Sequence, residues 1–230
     1  MKFLASLAAI ATVALYQVEL AASHGGVIGY KISNTYYNGF SAYNTPVGQS
    51  SIQREWDTYD PITNPTDSLL ACNHNGASLG SGQKTAAVTA GSQVTAYWNQ
   101  WPHTIGPVMV YMASCNGACA SANPASLSWF KIDQAGLISG TLPSGTWAMG
   151  QLVANNNSCS LPSTPPTNPN STPECAHLTL SGSGKSSPSG SYLVKFPGAY
   201  KASDPGVTID IYSQPTVTTY TIPGPAVWRG

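Results

Sequence analysis

Four histidines occur in the 230-residue chain, and two of them stand where they could hold a metal ion and leave it accessible. His24 follows Ala21-Ala22-Ser23, small residues of the kind after which a signal peptidase cuts, so processing would make it the first residue of the mature chain. One residue then offers two nitrogens, the terminal amine and a ring nitrogen, that close a chelate on one ion. His103 lies in Trp98-Asn99-Gln100-Trp101-Pro102-His103-Thr104-Ile105-Gly106-Pro107, just before the apolar run Val108 to Ala113. Pro102 and Gly106-Pro107 restrict the backbone at that strand entrance, where a ligand needs a set orientation. Two histidines and an amine make a planar, T-shaped set of three nitrogens, which favours copper over magnesium, calcium or a tetrahedral zinc. Without a fourth strong in-plane protein ligand a position stays open, and the expected chemistry is redox activation of dioxygen or hydrogen peroxide. His74 and His177 each follow a cysteine closely and receive no ligand role, since a lone histidine is more often a packed or surface residue.

The elements around these two histidines must bring residue 24 to residue 103. Residues 1–23 read as a secretory signal: Lys2 is the positive start, and Phe3 to Tyr16 is an uncharged apolar run of roughly 14 residues, short of the ~20 that span a bilayer. The protein is therefore expected to be secreted and extracellular, with residues 24–230 as a single domain. Short apolar or alternating runs separated by turn residues, with no long helical period, predict an antiparallel β-sandwich. Candidate strands are Val27–Ile32, Ala86–Thr89, Gln93–Trp98, Val108–Ala113, Trp129–Gln134, His177–Ser181 and Val207–Tyr212. Tyr36 to Ala71 reads as one long functional loop. Asn155 to Pro173 holds five prolines and reads as an exposed, linker-like loop unable to supply a core strand. Asn156 and Asn170 open Asn-x-Ser/Thr sequons within it, compatible with glycosylation.

Charge argues for the partner class. Nine basic residues balance nine acidic ones, and only 8% of the chain is charged, so the surface offers little attraction to nucleic acid or anionic membrane. An uncharged polar partner, carbohydrate, suits it better. With so few acids, no convincing pair of carboxylates supports a plain hydrolase. Five cysteines in an oxidising compartment point to disulfides. Cys115 and Cys119 can close a small loop, which leaves Cys72, Cys159 and Cys175, one of them odd.

The start His24-Gly25-Gly26-Val27, the stretch Trp101 to Val108, the Cys115-to-Cys119 loop, Phe196-Pro197-Gly198-Ala199-Tyr200, Asp204-Pro205-Gly206 and Tyr220 to Trp228 together resemble the fungal lytic polysaccharide monooxygenases of auxiliary activity family nine. The resemblance covers residues 24 to about 153 and 174 to 230. It implies an immunoglobulin-like β-sandwich, a copper-binding histidine brace made by His24 (amine and imidazole) and His103, and a Cys72–Cys175 disulfide. It also implies a monomer that hydroxylates C1 or C4 of a sugar ring in cellulose or a related β-glucan, drawing on an external electron donor and dioxygen or peroxide. Tyr220 resembles a tyrosine exposed on the family's flat substrate surface, where a ring stacks on a sugar face; Tyr36, Tyr37, Tyr43, Trp56 and Tyr59 are further aromatic candidates.

The chain departs from that pattern after about Val153. The family carries Arg-His-Glu and Ala-Leu-His motifs there, then Gln-x-Tyr-Pro-x-Cys, whereas this chain has Asn155–Pro173 followed by Glu174-Cys175. Aligning the cysteine puts Thr172 at the place of the tyrosine axial to copper and Asn170 at the place of the glutamine; the family's histidine near the metal has no counterpart. Those groups tune the metal and move protons. The expected function is thus a secreted copper-dependent polysaccharide monooxygenase, with a catalytically impaired or non-catalytic copper- or polysaccharide-binding homologue as the alternative.

Overall fold

The computed structural model describes residues 25–73, 76–99, 101, 103–155, 158–161, 166–167, 174–184 and 186–230. His24, His74, Asn156, Asn170 and Thr172 lie outside them, as does the signal segment. Strands β1 (Val27–Ile32) and β2 (Thr35–Asn38) form a hairpin closed by Ser33-Asn34, with Ser33 at φ +53°. Two-residue hairpin loops need such positive φ to match the strands' twist. Then follow β3 (Ser50–Ser51), β4 (Gly82–Gln83), β5 (Ala86–Thr89), β6 (Val94–Trp98), β7 (Val108–Ala113) and β8 (Trp129–Ala135). After them come β9 (Leu137–Ser139), β10 (Thr146–Trp147), a short helix α1 (Ala148–Ala154), β11 (Ser158–Leu161), β12 (Pro166–Thr167) and β13 (Leu178–Ser181).

The strands assemble as β11-β6-β1-β2, β12-β7-β8 and β13-β5, with small β10-β9 and β3-β4 pairs. The fold is all-β, as its sequence pattern predicts, but it is not purely antiparallel, since β13-β5 and β3-β4 are parallel pairs. Alternation decides which side chains face inward: Ala86 and Val88 of β5 and Val94, Ala96 and Trp98 of β6 are buried. They join Val27, Tyr30 and Ile32 of β1, Val108, and Met149 and Leu152 of α1 in one core. β7 breaks the alternation, because Val108, Met109, Val110 and Tyr111 are all buried. Its second face packs against Ile62, Leu70, Phe196 and Tyr200, so β7 is covered on both sides and reads as a continuous apolar run.

Two covalent and one polar tie hold the long connections. Cys72–Cys175 and Cys115–Cys119 are both bonded. Lys131 of β8 is fully buried and donates through Nζ to the Pro223 carbonyl at 2.6 Å and to Gln134 Oε1 at 2.7 Å. Burial pushes its ammonium down to about 8. The C-terminal segment is thereby pinned to β8, with the Trp228 amide donating to the Lys131 carbonyl.

Three expectations change. Val207–Tyr212 is not a strand: Asp204 accepts from the Lys201 amide and Asp210 from the Tyr212 amide, and such side-chain turns compete with a ladder. Tyr36 begins no loop, because Thr35–Asn38 pairs with β1. Asn155–Pro173 is not wholly a linker. Its proline-free stretch Ser158–Leu161 pairs antiparallel with β6, and Pro166-Thr167 pairs with β7; both sit at sheet edges, where a proline lacking an N–H is tolerated.

Candidate metal centre

Gly26 and Asn99 pair reciprocally, two residues after His24 and four before His103 in the chain. The Gly26 amide donates to Asn99 Oδ1 at 3.0 Å, and the Asn99 amide donates to the Gly26 carbonyl at 3.2 Å. Next to this pair Val27 stands opposite Trp98 across the β1–β6 ladder. His24, two residues before Gly26, lies outside the described residues. His103 is four residues beyond Asn99. Glycine is required at 26 because a Cβ there would come within 2.1 Å of the buried Trp56 ring. Trp56 is itself fixed by donating Nε1–H to the Phe40 carbonyl at 3.0 Å.

His103 is half-buried, and its ring meets Trp101 edge-on at 5.5 Å between centroids. Its Nδ1 lies 2.8 Å from the Ile105 carbonyl. A carbonyl only accepts, so in that bond Nδ1 carries the proton and the lone pair of a neutral ring falls on Nε2. Such a bond fixes both the tautomer and the orientation of a metal-binding histidine. The loop is held from below by α1. The Met149 amide donates to the Gly106 carbonyl at 3.2 Å, and Gly150 passes so close to Thr104 that a Cβ would lie 3.1 Å from its carbonyl oxygen.

Tyr220 belongs to the same block. Its ring packs edge-on against Trp147 at 4.9 Å, directly before α1, and its hydroxyl donates to the Gly206 carbonyl at 2.6 Å. Burial raises its phenol to about 12, so it stays a neutral donor. The ring is half-buried with a fixed plane. Among the other aromatic candidates Trp56 is only 1% exposed and structural, whereas Tyr43 and Tyr36 are exposed. Tyr43 and Tyr59 pack together beside Trp56.

His177 takes a role that spacing alone does not signal. It is 4% exposed and accepts from Arg54 Nε at 2.9 Å. Arg54 spends its other donors on the carbonyls of Gly76, Ala77, Cys119 and Ala122, so one guanidinium clamps three segments. Burial, then the adjacent guanidinium, lowers the His177 imidazole to about 4. Among the described residues no three His, Cys, Asp or Glu side chains cluster as a metal site, and no helix is long and apolar enough to cross a membrane.

Comparison with known proteins adds a family. The profile of auxiliary activity family 9, formerly GH61, matches residues 24–169 and 164–220. AA9 family lytic polysaccharide monooxygenase B of Heterobasidion irregulare is 62% identical over 227 residues, covering 91% of this chain and 93% of that relative. The lytic polysaccharide monooxygenase-like protein CEL1 of Agaricus bisporus is 47% identical, covering 90% and 71%. The crystal structure of HiLPMO9B superposes with a TM-score of 0.86 at 61% identity, over 90% of this chain and all of that one. A cellulose-active polysaccharide monooxygenase from M. thermophila superposes at 0.78 and 32% identity, over 89% and 99%.

Proposed function

We propose, since this chain belongs to auxiliary activity family 9, the lytic polysaccharide monooxygenases, that it is a secreted copper enzyme of one domain, residues 24–230, cleaving cellulose or a related β-glucan by oxidation. The observation that carries this reading is the reciprocal Gly26–Asn99 pair, which ties the chain next to His24 to the segment leading into His103. The donor set fits the metal: His103 has its proton committed at Nδ1, and a processed His24 would add an amine and a ring nitrogen. Copper bound there would supply one-electron chemistry with dioxygen or peroxide, fed by an external donor.

The chain's own residues orient and select. The Ile105 carbonyl holds the His103 ring, Trp101 limits its rotation, and Asn99 sets the direction in which the amino terminus approaches. Tyr220 presents a fixed ring on the same block for a sugar face, and the sparsely charged surface suits an uncharged glucan. The cellulose-active M. thermophila relative supports that substrate. Asn156 and Asn170 are proposed glycan acceptors.

One feature of the sequence favours a second reading. Thr172 and Asn170 stand where the family pattern has tyrosine and glutamine, so a chain that binds copper and glucan without turning over is the alternative. Protein starting at His24 is titrated with Cu(II) by calorimetry and electron paramagnetic resonance, then incubated with cellulose and ascorbate. The enzyme reading expects one tightly bound copper, lost in His103→Ala, and oxidised oligosaccharides by mass spectrometry. Copper binding with no oxidised product selects the binding protein; no copper binding overturns both.

A further inference from the structure

Three Asn-Gly pairs occur in the chain: Asn38-Gly39, Asn75-Gly76 and Asn116-Gly117. In such a pair the glycine amide nitrogen can attack the asparagine side-chain carbonyl, because glycine has no Cβ to hinder the approach and its backbone turns freely. The attack requires that the amide proton be lost and that the nitrogen swing toward Cγ. A hydrogen-bonded, packed amide does neither until the structure opens locally.

The fold distinguishes three pairs that are alike in sequence. The Gly39 amide donates to the Ile28 carbonyl at 2.8 Å, and a Cβ on Gly39 would lie 2.5 Å from that carbonyl carbon. The Gly76 amide donates to the Asn73 carbonyl at 3.1 Å, and Gly76 is buried so tightly that a Cβ would lie 1.7 Å from the Cys72 carbonyl oxygen. Asn75 itself lies outside the described residues. Gly117 differs on each count. It is exposed, a Cβ there would meet nothing within 4 Å, and its amide has no acceptor among the described residues. Asn116 is exposed as well; its Oδ1 accepts from Ser114 Oγ at 3.1 Å, and its amide donates to that same hydroxyl oxygen at 3.2 Å. The Ser114 hydroxyl therefore donates to the oxygen that becomes an oxyanion under attack, and a donor already aimed at developing charge lowers such a barrier.

We propose that Asn116 is a site of spontaneous deamidation in the folded protein. The Gly117 nitrogen loses its proton to solvent and bonds to Asn116 Cγ, the Cγ–Nδ2 bond breaks, and the leaving nitrogen takes up a proton and departs as ammonia. One water then opens the resulting succinimide at either carbonyl, leaving aspartate or isoaspartate at position 116. The sum is asparagine plus water giving the acid plus ammonia, so no oxidant or cofactor is needed. One negative charge thereby enters a chain whose nine basic residues balance nine acidic ones. Isoaspartate also adds a backbone carbon inside the Cys115–Cys119 ring, which Arg54 holds through the Cys119 carbonyl. The inference does not depend on the copper site.

The test incubates the full mature chain at about pH 8 and about 37 °C for several weeks and maps its peptides by mass spectrometry, with isoaspartate read by a protein isoaspartyl methyltransferase. Expected are a mass gain of about 1 Da at Asn116, a growing acidic species on ion exchange, and conversion at Asn38 and Asn75 at least tenfold slower. Reduced and unfolded in guanidinium chloride, the same chain is expected to convert at all three sites within about threefold of one another. Ser114→Ala is expected to slow Asn116 about threefold in the folded protein and to leave its unfolded rate unchanged. Conversion at Asn116 no faster than at Asn38 in the folded chain overturns the proposal. So does a tenfold spread among the three sites in the unfolded chain, because flanking sequence rather than the fold then selects the site. An unchanged folded rate in Ser114→Ala overturns the activating role of that hydroxyl.

Discussion

Gly26 and Asn99 donate to one another, at 3.0 Å through the asparagine side chain and at 3.2 Å through its amide. Asn99→Ala removes the acceptor of a buried amide, a loss of about 1–3 kcal/mol. The change is expected to lower copper affinity at least tenfold while His24 and His103 remain. Calorimetry, with circular dichroism showing an intact fold, measures both effects.

Tyr220 separates a ring from a hydroxyl. Tyr220→Phe loses only the bond to Gly206 and is expected to cost about 1 kcal/mol of stability with cellulose adsorption intact. Tyr220→Ala removes the ring and is expected to weaken adsorption about fivefold. Pull-down isotherms on microcrystalline cellulose and thermal melts distinguish the two.

His177 makes stability depend on acid. Its folded value of about 4 lies below the ordinary ~6.5, so between these pH values the unfolded chain binds the extra proton and stability rises with pH. Falling from pH 6.5 to 4 is expected to cost up to about 3 kcal/mol through this group. His177→Gln keeps an acceptor for Arg54 without titrating, and flattens that part of the curve. Denaturant melts across pH 4 to 7 on both proteins provide the comparison.

Cys72 and Cys175 are 103 residues apart in the chain. Closing a loop of that size restricts the unfolded state by up to about 4.7 kcal/mol on the chain-entropy estimate. The double change Cys72→Ser, Cys175→Ser is expected to lower the melting temperature by several degrees, whereas cutting the four-residue separation of Cys115–Cys119 in the same way costs less. Differential scanning calorimetry measures both.

Local patterning already determines much of this protein. Alternation in Ala86–Thr89 and Val94–Trp98, the continuous apolar run of Val108–Ala113 and the Cys115–Cys119 spacing are properties of neighbours in the chain, and the structure keeps them. The strand entrance at Gly106-Pro107 is legible as well, because those residues constrain only nearby backbone. Three relationships needed the tertiary structure, since each depends on residues far apart. Asn99 meets Gly26 across 73 positions and Arg54 meets His177 across 123, so no spacing rule finds them. The third is Ser158–Leu161, a strand because the edge of β6 offers a partner; Val207–Tyr212, a strand by propensity, is instead turned by local bonds of Asp204 and Asp210. Strand identity is settled by which edge is available, and that is decided only when the chain folds.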